Sequence, residues 1–276
     1  MDSKAKTRLD VLLKGVSPNF VAAPAAAEVV SIAGVQNGVA LIMINNPPVN
    51  SFTRDVAAGL SKAYDACLAN DEVKAIVLTG AGKMFMAGAD IPYLKHLTEL
   101  NNRAASTEFI TAAHKMLNRM ESGPKPLVAA VNGDALGGGC ELAMGCNARV
   151  ALASAKFGLP ELKLGVIPGL GGTQRLARLI GTQDAISTIL SSKPLAAPKA
   201  AKAGLVDVVV KKPDELIPAA AKLALAIAAG KVPRKISLTE KSKVPSKEEV
   251  CPQYLRITPL KTYLGDMIRY YLRCSH

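Results

Sequence analysis

Hydrophobic positions alternate through residues 29–33 and again through 39–44, with Gln36-Asn37-Gly38 between them. A period of two broken by Asn-Gly predicts a β-hairpin. Thr53 stands just ahead of Val56, Leu60, Ala63 and Cys67, which share one helical face, so its hydroxyl is placed to cap a helix. Continuous apolar runs at 75–78 and 127–131 end in Thr79-Gly80 and Asn132-Gly133, and read as buried strands. Further strands are predicted at 148–152 and 205–210, and helical spacing fills 103–120, 174–180 and 183–190. Strands alternating with helices predict an α/β domain with mainly parallel pairing.

The pattern divides the chain in three. Residues 1–27 have little periodicity and an Ala/Pro run, and read as a flexible leader; folding starts near Glu28. The domain runs to about residue 230, where an alanine-rich helix gives way to Lys, Pro and Ser. Residues 231–276 then read as a basic linker and an amphipathic tail, with Leu260, Tyr263, Leu264, Met267, Ile268 and Tyr271 on one helical face.

Composition narrows the function classes. Of 276 residues 49% are hydrophobic, enough for a sizeable core. No segment approaches the roughly 20 uninterrupted apolar residues of a membrane span. Residues 1–10 carry charges of both signs without an apolar core and cleavage site behind them, which disfavours secretion. Five cysteines without C-x-x-C spacing, beside only three histidines, predict reduced thiols and no zinc cluster. The net charge is +12, but residues 231–276 hold ten Lys or Arg against four Asp or Glu, half of that surplus. The remainder is mildly basic, which suits an anionic ligand and does not require a nucleic acid.

Two glycine-rich loops follow predicted strands: residues 80–90, ending Ala87-Gly88-Ala89-Asp90, and residues 132–141, containing Gly137-Gly138-Gly139-Cys140-Glu141. Small residues there let backbone N–H groups approach a ligand closely. A phosphate-binding P-loop needs Lys then Ser or Thr after its last glycine, and Gly139-Cys140 stands there instead. A dinucleotide site would place Leu142 at its third small position and lacks an acid about 20 residues on at the end of a strand. Glycines that merely permit tight packing are the plainer alternative. Against it stand Glu141, in the apolar Glu141-Leu142-Ala143-Met144, and Glu161, after Pro160 in apolar surroundings, where desolvation raises a carboxyl's pKa and fits it for proton transfer.

The strings Met86-Ala87-Gly88-Ala89-Asp90-Ile91, Ala135 to Ala143 and Gly158 to Leu176 resemble, in order and spacing, the motifs of the crotonase family. Asn46-Pro47-Pro48-Val49-Asn50-Ser51 and Ser192-Lys193-Pro194 further resemble the N-terminal hydratase/isomerase region of peroxisomal multifunctional β-oxidation proteins. The resemblance implies a spiral of repeated ββα units, a peroxisomal location with mitochondrion or cytoplasm as the alternatives, and a chain that forms part of a larger multifunctional protein, with its oligomeric state open. It also implies an acyl-CoA thioester as partner, with coenzyme A entering as part of the substrate and no separate cofactor or metal.

On the same resemblance, the N–H groups of Ala89 and Gly138 form an oxyanion hole, Glu141 activates water and Glu161 delivers a proton to Cα. Ala87, Gly88, Asp90, Ile91, Gly137, Pro160 and Gly169 line the substrate. Enoyl-CoA hydration is the leading reading. Isomerisation of the double bond with little hydration, and a non-catalytic binding protein of this fold, stay open beside it. Cys140 reads as packing, His96 and His114 as surface or helix-packing residues, and Arg175 and Arg178 as a solvated helix face.

Overall fold

The computed structural model describes residues 28–92 and 103–239. Its larger sheet has the order β1-β2-β3-β5-β7-β10: Val30–Gln36, Val39–Ile44, Ala75–Gly80, Leu127–Val131, Ala148–Leu152 and Val208–Val210. The first pair is the antiparallel hairpin, with Asn37 at φ 52 and Gly38 at φ 79, a turn that needs two left-handed residues. All other pairs in this sheet are parallel. The predicted strand at 205–210 is ordered as β only over Val208–Val210; Leu205 and Val206 are instead tied to Ala200 at the end of a helix.

Parallel strands need covered faces: α1 (Arg54–Ala69) packs on β1 and β2, the helix at Pro213–Ala228 packs on β3, β5 and β7, and α2 (Arg103–Ser122) packs on α1. Thr53 caps α1 through Val56 N at 3.2 Å, and Val56, Leu60, Ala63, Tyr64 and Cys67 turn inward. A second sheet was hidden from the hydrophobic pattern because its strands are two or three residues long. Its order is β4-β6-β8-β9: Met84–Met86, Asp134–Leu136, Lys156–Gly158 and Leu195–Ala196.

This small sheet organises the functional end of the molecule. After β3, β5 and β7 the chain adds one short strand, β4, β6 and β8 respectively, before it turns into helix or turn, so ββα units repeat along the sequence. β4, β6 and β8 run parallel, with Met86 opposite Ala135 and Leu136 opposite Gly158. Three segments far apart in sequence therefore leave the sheet side by side: residues 87–90, Gly137-Gly138 and Pro160-Glu161. Gly138 opens α3 (Gly138–Met144), which is buried throughout, as an apolar helix must be. Beyond it lie α4 (Gly172–Ile180), α5 (Thr182–Ser191), α6 (Ala197–Ala203) and α7 (Pro213–Ala228).

Packing continues past the boundary read near residue 230. Lys235 Nζ pairs with Asp207 at 2.5 Å, and its carbonyl accepts from Asn147 at 2.9 Å. Ser237 is buried and donates both its N–H and its hydroxyl to Glu121 Oε1, each at 2.6 Å. Residues 231–239 thus belong to the body of the fold; the remainder of the tail, with its amphipathic stripe, lies outside the described residues, as do the leader and His96.

A chain ended at Gly230 leaves buried Glu121 short of two donors, whereas one ended at Thr239 keeps them. The shorter chain should be less stable by about 3 kcal/mol, since a buried carboxylate stripped of partners carries its desolvation cost unrelieved. Urea unfolding of the two truncations side by side checks this; equal midpoints would place the end of the fold at residue 230.

Candidate active site

The first wall of the site is the turn after β4. Gly88 sits at φ 98, and a methyl added there would lie 2.8 Å from Leu136 O and 3.2 Å from Gly138 N, so only glycine lets this turn close on the next. The turn is braced from behind: Ala87 N donates to Val49 O at 3.0 Å, Phe52 N to Gly88 O at 2.7 Å, and Asp90 N to Phe52 O at 3.4 Å. Asn50, buried and at φ 55, ties the bracing segment to Ala81 O and Met84 O at 3.0 and 2.9 Å. Asn50 is thus a supporting residue of the site. Its sequence signal was the Asn46 to Ser51 string, whose physical purpose the string did not reveal.

The second wall is the turn after β6. Gly137 N is spent on Gly158 O at 2.8 Å, and Gly137 takes φ 52. Among the described residues the N–H groups of Gly138 and Ala89 have no acceptor, and a methyl on Gly138 would lie 3.7 Å from Ala89 N. Two unspent backbone donors therefore stand next to each other. Ala89 is exposed and Gly138 buried, so the pair opens in one direction only.

The two glutamates complete the site. Glu141, one turn into α3, is 1% exposed, and its Oε1 accepts from Leu170 N and Gly172 N, both at 2.7 Å. Burial, and next the neighbouring Glu161 charge, push its pKa up to about 7; the bonds from Gly172 and Leu170 and the charge of Arg175 pull the other way. Glu161 begins the short 3-10 turn Glu161–Leu164, for which Pro160 is the cap. Its Oε2 is enclosed without a hydrogen-bond partner, and burial raises its pKa too, opposed by its own backbone N–H. A methyl on Gly137 would come within 3.1 Å of Glu161 Oε1, and one on Gly172 within 2.9 Å of Glu141 Oε1. Glycine at both places leaves room for each carboxyl to lie against the main chain.

The other predicted site residues fall around this centre in different ways. Ile91 is exposed beyond Ala89, in line with a lining position, and Gly169 is exposed beside Leu170. Cys140 is buried, with its thiol pKa driven up by burial and by both glutamates, so it is packed and not nucleophilic. The solvated-face reading of Arg175 is wrong: it is fully buried, and its Nη2 and Nε meet Glu121 Oε2 at 2.9 and 3.1 Å. Arg178 is half-buried and bonds Gln174. His114 packs on α2 as expected, yet its Nε2 also lies 2.7 Å from Gly169 O, at the edge of the site, and nothing in its spacing signalled that. No group of three His, Cys, Asp or Glu among the described residues could hold a metal ion.

Glu141 ionises with more difficulty in the fold than in the unfolded chain, so it favours folding while protonated. That contribution is full below about pH 4.5 and is lost as pH rises through about 7. Glu141→Gln removes the titration, so the variant should gain stability over the wild type as pH rises from 4.5 to 8, by on the order of 3 kcal/mol. Unfolding of both proteins across that range is the check; a difference independent of pH would contradict it.

The chain matches the family model described as Enoyl-CoA hydratase/isomerase over residues 34–256. It is 44% identical over 209 residues to a peroxisomal fatty acid beta-oxidation multifunctional protein of Arabidopsis thaliana, covering 76% of this chain and 29% of that one. The chain therefore spans less than a third of the plant relatives it matches. A probable enoyl-CoA hydratase of Bacillus subtilis is 43% identical over 190 residues, covering 69% of this chain and 72% of that protein. Among solved structures, an enoyl-CoA hydratase from Bacillus anthracis superposes with a TM-score of 0.67 at 33% identity, over 73% of this chain and 77% of that one. With its ββα repeat and its braced glycine turns, the chain belongs to the enoyl-CoA hydratase/isomerase family and has the crotonase fold.

Proposed function

We propose that this protein adds water across the 2,3-double bond of an enoyl-CoA thioester to give the 3-hydroxyacyl-CoA. The observation that carries the reading is the pairing of two carboxyl groups, both with raised pKa, beside two adjacent backbone N–H groups that have nothing else to bind. Hydratases among the relatives support it, and the multifunctional relatives support a setting in fatty-acid β-oxidation and a peroxisomal location.

The chemistry follows from charge. Attack of water on Cβ drives negative charge onto the thioester oxygen, and Ala89 N–H and Gly138 N–H are the donors placed to receive it, each worth on the order of 3 kcal/mol at the transition state. Glu141 already has one oxygen occupied by Leu170 and Gly172. Its other oxygen takes a proton from the water as the hydroxyl bonds to Cβ, and Glu161, protonated, gives a proton to Cα. Atoms balance as H and OH added to the double bond, and a proton returning from Glu141 to Glu161 resets the pair. Burial and the Glu161 charge both raise the pKa of Glu141, and in the proposed cycle the pair begins with one proton, carried by Glu161.

Isomerisation from a Δ3 to a Δ2 enoyl-CoA uses the same donors with one proton shuttle. The unpartnered Glu161 Oε2 supports that as a second activity. Ile91, the glycine turns and Gly169 are the lining around the acyl-thioester.

Loss of absorbance on hydration of crotonyl-CoA tests the reading. Glu141→Gln and Glu161→Gln should each slow turnover about a thousandfold. Glu161→Gln should also stop hydrogen exchange at Cα, and Glu141→Gln should retain part of any isomerisation. Gly138→Pro, which deletes one donor, should fold and lose turnover. Normal hydration by either folded glutamate variant would remove that residue from the mechanism.

A further inference from the structure

Glu141 is held through one turn, residues 169–172, and that turn has little of its own to keep it still. Three of its four residues are glycine, with Gly171 at φ 92. Glycine segments lose the most conformational freedom on ordering, so the two N–H groups that reach Glu141 need outside restraint. Two side chains supply it at consecutive carbonyls.

His114, on α2, lies with Nε2 2.7 Å from Gly169 O. A carbonyl only accepts, so Nε2 carries the proton. Burial lowers the pKa of the ring, the Gly169 bond opposes this, and the charge of Arg175 lowers it further, so His114 is neutral near pH 7 and donates. Arg175, on α4, donates from Nη1 to Leu170 O at 3.1 Å. Its remaining donors are fixed by Glu121 Oε2 and by Asn118 Oδ1, the latter at 2.7 Å. Glu121 is fixed in turn by Ser237. An unbroken path of hydrogen bonds thus runs from the segment after residue 230 to Leu170 and, through its N–H, to Glu141.

The structure assigns His114 and Arg175 as positioning residues: His114 holds the carbonyl of Gly169, whose peptide carries the Leu170 N–H that reaches Glu141, and Arg175 holds the next carbonyl, that of Leu170, so that together they still the turn and keep that carboxyl in one orientation. The kinetic consequence rests on the proposed hydration, whereas the restraint itself does not. The charged and titratable groups that face Glu141 are Glu161, Arg175 and Cys140, and Arg175 faces His114; their charges must be kept in any comparison. Exchanges at His114 meet that condition.

The test compares His114→Leu, which removes the donor to Gly169, with His114→Gln, whose amide N–H can replace it. Glu141 ionisation is read in substrate-free protein by difference infrared spectroscopy, with Glu141→Gln as the blank, and hydration of crotonyl-CoA is read separately. In His114→Leu the N–H bonds that favour the ionised carboxyl loosen, so the Glu141 midpoint should move up. kcat should fall about tenfold with KM within about twofold. His114→Gln should restore most of both. Arg175→Lys, which keeps the charge and loses the fork, should move the midpoint in the same direction, and if it does not fold the His114 pair decides alone. An unmoved midpoint in His114→Leu, or no recovery in His114→Gln, overturns the proposal. Absence of hydration by the wild type would instead remove the assigned reaction and leave the titration to judge the restraint.

Discussion

A carboxyl group held away from bulk solvent must be solvated largely by the protein, and Glu141 meets that requirement with two backbone N–H groups at 2.7 Å. Much of the functional end follows from this constraint. The donors come from a turn, so the turn must bring the amides of Leu170 and Gly172 to one oxygen, and a side chain at Gly172 would crowd that oxygen. A turn so rich in glycine has to be held, and the carbonyls of Gly169 and Leu170 are held by His114 and Arg175. Arg175 is a buried cation and needs Glu121, which needs Ser237. Since removing one partner from such a buried pair costs several kcal/mol, the network is maintained as a unit.

The large sheet was legible because its strands are long enough to show a pattern. Residues 75–78 and 127–131 are buried on both faces and read as continuous apolar runs, and 148–152 is as fully buried with Arg149 interrupting the run. The Asn37-Gly38 hairpin and the Thr53 cap were legible because turn and cap chemistry is local. The small sheet was not: three residues cannot display a period, and β4, β6 and β8 are defined by their pairing alone. Yet this sheet is what aligns the residue 87–90, Gly137-Gly138 and Glu161 segments.

The site divided in the same way. Glu141 and Glu161 stood out because a glutamate among apolar residues is costly without a purpose, and the glycine turns because several small residues in sequence invite close approach. Arg175 was misread because its partner, Glu121, lies 54 positions away, and a lone arginine on a helix is ordinarily solvated. His114 and Ser237 escaped for a similar reason: each acts through hydrogen bonds to a distant segment, which leave no trace in spacing. The family resemblance supplied the ββα repeat and the roles of Ala89 and Gly138, which no local pattern contained.

At the centre of the account is a claim that Glu141 and Glu161 act as one proton-handling unit on a single water beside the Ala89 and Gly138 N–H groups. A double-mutant cycle on kcat for hydration of crotonyl-CoA, with Glu141→Gln, Glu161→Gln and the two together, tests it most directly. If the pair is one unit, the double variant is about as slow as the slower single variant, because either loss already disables the step. If the two losses instead multiply, the glutamates contribute independently and the account of a shared water is wrong.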